Sequence, residues 1–297
     1  MVSPVSIEPE HVLWSGPKPK LNRPTLIAAF EGWNDAGDAA STAASHLAGR
    51  WGCVPVAEID PEPFFDFTAA RPTVHLDESK ARTIAWPVNE VRVARLDDSD
   101  TDAVVLMGTE PQLRWRTFTH QLISLAGMLG VERVVTLGAL LAEVPHSRDV
   151  EVYGSTDDEQ LRIELGVSPS TYEGPTGIVG VLSSACIDAG YRTASFWTAV
   201  PSYMPAAPYP KAALALVNRV CTLMGAPVTT FDLEQRAKTY EREITKIVAE
   251  DDETAEYVAR LETTWDATRD HDTESPSLSD DPDRLVAEVE KFLREGG

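Results

Sequence analysis

The sequence predicts an α/β fold in which a mostly parallel mixed sheet is layered between helices, followed by a helical C-terminal appendage. Two patterns point to the layered sheet. Short apolar runs of strand length alternate with longer runs of helical length. Strands joined through such helices need crossover connections, which place helices on both faces of the sheet. A third pattern points to the appendage, because after residue 231 the strand signal stops while helical periodicity continues. With 297 residues, 43% of them hydrophobic, the chain is long enough for one sizeable core with appendages.

Residues 1–24 are punctuated by prolines and glycines and read as a loosely attached lead-in. Residues 25–30 (TLIAAF) form the first strand, and the polar loop EGWND (31–35) leads into a helix rich in Ala, Ser and Gly through Gly49. Asn34 or Asp35 is placed to accept that helix's free N-terminal amide hydrogens. Its small side chains let it lie close to a sheet. Residues 54–59 supply the next strand and complete a first βαβ unit. Between 73 and 95, β-branched pieces around 84–87 and 91–94 fit an antiparallel hairpin at a sheet edge.

Strand, helix and strand then recur at 103–107 (AVVLM), 118–129 and 133–137 (RVVTL). Residues 143–172 are polar and rich in turn formers, and read as a long surface excursion. A Gly-Pro turn opens a helix over 174–189, and 194–200 is the last strand. From 232 onward, Asp232 and Gln235 have capping-box spacing, and Leu233, Ala237, Tyr240, Ile244, Ile247 and Val248 recur at helical intervals. A second helix carries Val258, Leu261 and Trp265 on one face. A flexible link is expected at 269–280, and Pro282 opens a final amphipathic segment with Leu285, Val289, Phe292 and Leu293. The chain thus divides into a lead-in (1–24), an α/β domain (25–231) and an acidic helical region (232–297).

The formal net charge is −21, and about half of it lies in 232–297, with 20 acidic and 9 basic residues. Such a balance disfavours a broad nucleic-acid or anionic-membrane footprint, which needs clustered Lys and Arg. No apolar run approaches the ~18–20 residues of a membrane span. The N-terminal residues lack the basic segment and apolar core of an export signal, so cytoplasm is the expected location. Cys53, Cys186 and Cys221 are odd in number and far apart, and read as small buried hydrophobes.

The histidines at 11, 46, 75, 120, 146 and 271 never fall at i, i+4 spacing, and neither a calcium loop, a phosphate-cradling P-loop, a dinucleotide fingerprint nor a G-x-S-x-G elbow is present. No metal and no cofactor is expected. Three loops combine a strand end or turn with a helix start, where open α/β sheets bind ligands: EGWND (31–35), GTEPQLRW (108–115) and YEGPTG (172–177). Each has a carboxylate, Glu31, Glu110 and Glu173. Converging with Arg114, these acids would make a polar pocket with pKa values split by repulsion and by the guanidinium. Asn34, Asp35 and Thr176 complete the candidate set. Capping is the commoner role for all of them. Trp33 and Trp115 are expected to be packing aromatics, and Phe64, Phe65 and Phe67, close to Arg71, to anchor their loop to the core.

Six segments in order, AAFEGWNDAGDAAS (28–41), FFDFTAARPTV (64–74), MGTEPQLRW (107–115), LGALLAEVPHSR (137–148), YEGPTGIVGVL (172–182) and FWTAVPSYMPAAPYPKAALAL (196–216), resemble the actinobacterial branch of the PAC2 (proteasome assembly chaperone 2) family. The resemblance spans about residues 25 to 245. It implies a three-layer α/β/α sandwich similar to nucleoside phosphorylases and peptidyl-tRNA hydrolase, in a homo-oligomer for which a trimer is one candidate size. Relatives in eukaryotes and archaea bind proteasome α subunits or assembly intermediates. Relatives that dock on proteasome rings often end in a hydrophobic residue, a tyrosine and a terminal residue, whereas this chain ends LREGG (293–297), which argues against tail docking. The expectation is a non-enzymatic, assembly-chaperone-like oligomer. Its partners would be copies of itself, proteasome subunits or another protein, with no nucleic acid and no membrane. The alternative is an enzyme of nucleoside phosphorylase, amidohydrolase or carboxylate-amine ligase type acting on a small polar ligand.

Overall fold

The computed structural model describes residues 9–77, 80–204 and 208–272. In chain order the elements are β1 (Val12–Trp14), β2 (Thr25–Glu31), α1 (Ala39–Arg50), β3 (Val54–Ile59), β4 (Thr73–Leu76), β5 (Arg82–Ala85), β6 (Asn89–Ala94), β7 (Ala103–Thr109) and α2 (Trp115–Leu129). They continue as β8 (Arg133–Ala142), β9 (Val152–Ser155), α3 (Glu159–Leu165), α4 (Ile178–Asp188), β10 (Arg192–Pro201), α5 (Pro210–Met224), α6 (Phe231–Val248) and α7 (Asp252–Asp272).

Eight strands form one sheet in the order β1-β3-β6-β7-β2-β8-β10-β9. The central four, β7, β2, β8 and β10, are mutually parallel, and β3 runs the same way, whereas β1, β6 and β9 are antiparallel to their neighbours. The expected α/β sandwich is therefore present, with its parallel strands at the centre. Strand β2 is buried on both faces. Leu26, Ala28 and Phe30 pack into the layer of α2 and α4, and Ile27 and Ala29 into the layer of α1 and α5. Helix α1 lies close to the sheet because its buried side is Ala40, Ala43, Ala44, Leu47 and Ala48.

Several local expectations change. The antiparallel hairpin is β4–β5, a separate two-stranded sheet, while the piece at 91–94 belongs to β6, inside the main sheet between β3 and β7. Tertiary pairing, not hairpin proximity, chose its partners. The 54–59 strand is separated from β2 by β6 and β7, so the crossover through α1 skips two strands. Within the stretch read as a lead-in, β1 adds to one sheet edge, and within the 143–172 excursion, β9 adds to the other.

At the C-terminal side, α6 buries Leu233, Ala237, Tyr240, Ile244 and Val248 against α5 and its surroundings, leaving Ile247 one step off the buried stripe and exposed. The expected capping box is absent. Thr230 is the N-cap residue and its hydroxyl donates to Glu234 Oε1 at 2.7 Å, while Asp232 turns to Arg50 of α1 at 2.6 Å. Helix α7 runs to Asp272 through the start of the expected 269–280 link. The rest of that link and the terminal amphipathic segment lie outside the described residues.

Candidate functional site at the carboxyl rim

The connection leaving β2 crosses toward β3 on the α1 side, whereas that leaving β7 crosses to β8 on the α2 side. Divergent crossovers open a crevice at the carboxyl ends of these strands. The loops 31–35 and 108–114 start there, on neighbouring strands paired through Glu31 and Thr109.

Glu110 ties the rim together. Its amide donates to Glu31 O at 2.9 Å, and its Oε1 accepts from the Ile178 amide at 2.8 Å. A carboxylate from 68 residues upstream therefore caps α4, whose own N-cap residue is Gly177 and supplies no side chain. A Cβ on Gly177 would stand 2.0 Å from Asn34 Oδ1 and 2.9 Å from Glu110 Oε1. The three loops thus meet at Gly177, where only glycine leaves room for the two side chains.

Asn34 and Asp35 serve opposite layers. The Asn34 carbonyl accepts from Ala139 N of β8 at 2.8 Å while its side chain lies toward α4. Asp35 Oδ1 accepts from the amides of Ala40 (2.7 Å) and Ser41 (3.2 Å), capping α1 across the 3-10 turn Ala36–Asp38. Burial pushes the Asp35 carboxyl above its ordinary value, against the lowering effect of its bonds to Ser41 and Ala40. Among the described residues, Asn34 Oδ1 and Asp35 Oδ2 are buried without a hydrogen-bond partner.

The remaining candidates stay at the periphery. Glu31 is exposed, and among the described residues its carboxylate takes a single contact, at 3.4 Å from Thr109 Oγ1. Arg114 occupies the left-handed region (φ 53°) at the N-cap position of α2 and is exposed. Among the described residues no ion pair joins it to Glu31, Glu110 or Glu173. Glu173 and Thr176 are exposed, and Thr176 Oγ1 leans over the first turn of α4, 2.0 Å from where a Gly180 Cβ would be. Asn89, fully buried beside Gly108 and with neither amide atom bonded among the described residues, is a rim residue that sequence reasoning missed. An Asn opening a strand reads as ordinary turn chemistry, so no local signal marks it.

Outward, the rim carries exposed apolar side chains alongside the exposed Glu31, Arg114 and Glu173. Trp33, expected to pack, is 52% exposed, and Leu113 on the 108–114 loop is exposed as well. Trp115 is half-buried, its indole N–H bonded to Pro111 O. Phe64 and Phe65 are buried as expected, and Phe67 meets Trp86 edge-on at 4.8 Å. Gln112 and Leu113 amides both donate to Phe64 O at 3.0 Å, holding the 61–72 loop against the rim.

On the β8–β10 side the rim is covered by α6 and α7. Buried His146 bonds Tyr203 Oη through Nδ1 at 2.7 Å and Thr245 Oγ1 through Nε2 at 3.0 Å. Burial lowers its pKa below the ordinary 6.5, opposed by Glu241 and Glu262 and aided by Lys211. Arg148 forks onto Asp266 with two bonds of 2.8 Å. Among the described residues no cluster of three His, Cys, Asp or Glu side chains is arranged to hold a metal, and no helix is long and apolar enough to cross a membrane.

Comparison with known proteins places this architecture. The model of the PAC2 family matches residues 29–248. A PAC2 family protein from Streptomyces avermitilis is 44% identical with a TM-score of 0.74, covering 79% of this chain and 99% of that one. A Mycobacterium tuberculosis protein described as a proteasome-assembly chaperone homologue is 45% identical with a TM-score of 0.71 over the same shares, 79% and 99%. An archaeal proteasome activator from Pyrococcus furiosus, 17% identical with a TM-score of 0.66 over 81% of this chain and 99% of its own, shares the fold. No curated protein matches the chain.

Proposed function

The chain belongs to the PAC2 family, and on that premise we propose that it works through protein contacts, as an assembly-chaperone-like homo-oligomer, with no turnover of a small substrate. The observation that carries this reading is the way the rim is used. Glu110 and Asp35, its two best-held carboxylates, are engaged as helix caps, and the surface turned outward carries Trp33, Leu113 and Trp86. Exposed aromatic and aliphatic side chains grouped on one rim suit a protein partner more than a polar metabolite. The partner class we assign is proteasome subunits, in line with the description of the Mycobacterium relative.

The test mixes the purified chain with the α and β proteasome subunits of its own host and follows complexes by light scattering after size exclusion. A stoichiometric complex, or faster appearance of assembled rings, is expected, and Trp33→Asp should weaken it about tenfold. Failure to bind and failure to alter assembly together would overturn the reading.

A small-ligand reading draws on one observation, Asn34 Oδ1 and Asp35 Oδ2, buried and unpartnered among the described residues. It predicts that some nucleoside or amino acid at 100 times its dissociation constant stabilises the protein by ~2.7 kcal/mol, and that Glu110→Gln abolishes the effect.

A further inference from the structure

The amino edge of the sheet, at the far end of the strands from the rim, gathers positive charge in a chain of net charge −21. Arg133 opens β8 and Arg192 opens β10, and the two are register partners on adjacent parallel strands. Arg133 alternates with Val135 and Leu137, and Arg192 with Phe196, all buried in the layer of α1 and α5, so both arginines leave the same face side by side. Thr156 Oγ1 donates to Thr193 O at 2.6 Å, which ties the turn before α3 to the start of β10. Farther along that face, the Arg219 guanidinium of α5 lies 5.2 Å from the Phe196 ring centre, and its Nη2 donates to Leu165 O of α3 at 2.7 Å. Arg162 shares a face of α3 with Asp158, four residues before it.

The carboxylates here are thinly spread. Asp158 caps α3, its Oδ1 accepting from the Leu161 amide at 2.7 Å, and its Oδ2 stands 3.4 Å from Arg192 Nε. Exposed Glu164 is stretched between two arginines, with Oε1 3.4 Å from Arg133 Nη1 and Oε2 3.7 Å from Arg192 Nη2. Glu132 turns to Arg23 at 3.2 Å. Among the described residues, Arg192 Nε and Nη2, Arg219 Nε and Arg162 Nε are buried and make no hydrogen bond. Buried donors without acceptors are costly, and charged ones more so. Burial, aided by repulsion from Arg192 and Arg23 and opposed by Glu164, holds the Arg133 guanidinium below its ordinary value. Arginine keeps its proton at neutral pH, so acceptor oxygens are what relieve this edge.

We propose that the gap between Arg133 and Arg192 binds a phosphate-type oxyanion, which displaces the Glu164 carboxylate. Two guanidinium forks suit the several oxygens of a phosphoryl group, and a doubly charged anion supplies more acceptors than the one carboxylate it replaces. Glu164 is exposed and free to turn toward solvent. The surrounding negative charge disfavours a nucleic-acid strand or an anionic membrane, which leaves inorganic phosphate or the phosphoryl group of a small metabolite. The site does not depend on the protein-contact reading, which uses the other end of the strands.

Calorimetric titration and thermal melting of the full chain, with inorganic phosphate and separately with phenyl phosphate at constant ionic strength, test the site. One saturable binding event per chain is expected. Arg192→Gln, with unchanged circular dichroism, should weaken it about tenfold or more, because charge-assisted bonds are lost. Glu164→Gln should tighten it several-fold, because the competing carboxylate is neutralised. That side chain is exposed, so this variant decides the matter even where Arg192→Gln fails to fold. A merely structural ion network predicts the reverse, a lower melting temperature in Glu164→Gln and no gain in binding. Phenyl phosphate binding at least as tightly as phosphate assigns the site to a phosphorylated metabolite, and weaker binding assigns it to the free ion. Neither heat nor stabilisation with either probe, wild-type affinity in folded Arg192→Gln, or no tightening in Glu164→Gln would each overturn the proposal.

Discussion

At the scale of single residues, Gly177 and His146 carry the sharpest consequences. A methyl at Gly177 must displace Asn34 and the Glu110 carboxylate together, because both lie within 3 Å of where it would stand. Gly177→Ala should cost about 1–3 kcal/mol, read as a fall in the urea midpoint with unchanged slope. His146 is a pH-dependent weak point. Its folded pKa is below the ordinary 6.5 because burial disfavours the imidazolium, so the unfolded chain binds the proton more readily. Stability is therefore complete above about pH 6.5 and declines as the pH falls toward the lowered folded value. The groups facing His146 are Tyr203, Thr245, Lys211, Glu241 and Glu262. A melting series from pH 7.5 to 5.5 should show the decline in the wild type and a flatter profile in His146→Gln. Little of this was legible beforehand, since isolated histidines and glycines have no periodicity, and their roles come from neighbours a hundred residues away.

At the scale of elements, helix starts separate what local rules capture from what they miss. Asp35 caps α1 within six residues of its own position, the kind of pairing that spacing reveals. Asp35→Ala should therefore cost about 1–2 kcal/mol, and Asp35→Asn, which keeps an acceptor, clearly less. Chemical denaturation of the two variants checks the order. Helix α4 takes its cap from Glu110, a choice set by the fold that no window of three or four residues can see. Strands divide similarly. TLIAAF and RVVTLGALLA are long and buried on both faces, so they announce themselves, whereas β9 is four half-buried residues and β1 is three. Helix α7 is held to the body chiefly by Arg148 with Asp266 and Glu262, by Tyr257 against Tyr203, and by buried Val258. Arg148→Ala should speed amide exchange in α7 while α1 and α5 stay protected, because exposed pairs contribute little to global stability.

At the scale of the whole molecule, the alternation of strand and helix made the architecture readable, and six segments carried the family. The order of strands was not readable, because the crossover through α1 passes over β6 and β7 before they have been made. The large buried clusters on the two faces of the sheet contain no residue of α7, so a chain ending after Asp251 should fold and keep its sheet. Losing the burial of Val258 alone removes ~2 kcal/mol, a drop in melting temperature of about 4–8 °C, which calorimetry checks.

Both flanks of the sheet finish in stubs, β1 of three residues and β9 of four. So short a ladder gives an incoming strand few backbone groups to grip. Runaway growth by strand addition, the first step toward fibrils, is thereby starved of a template.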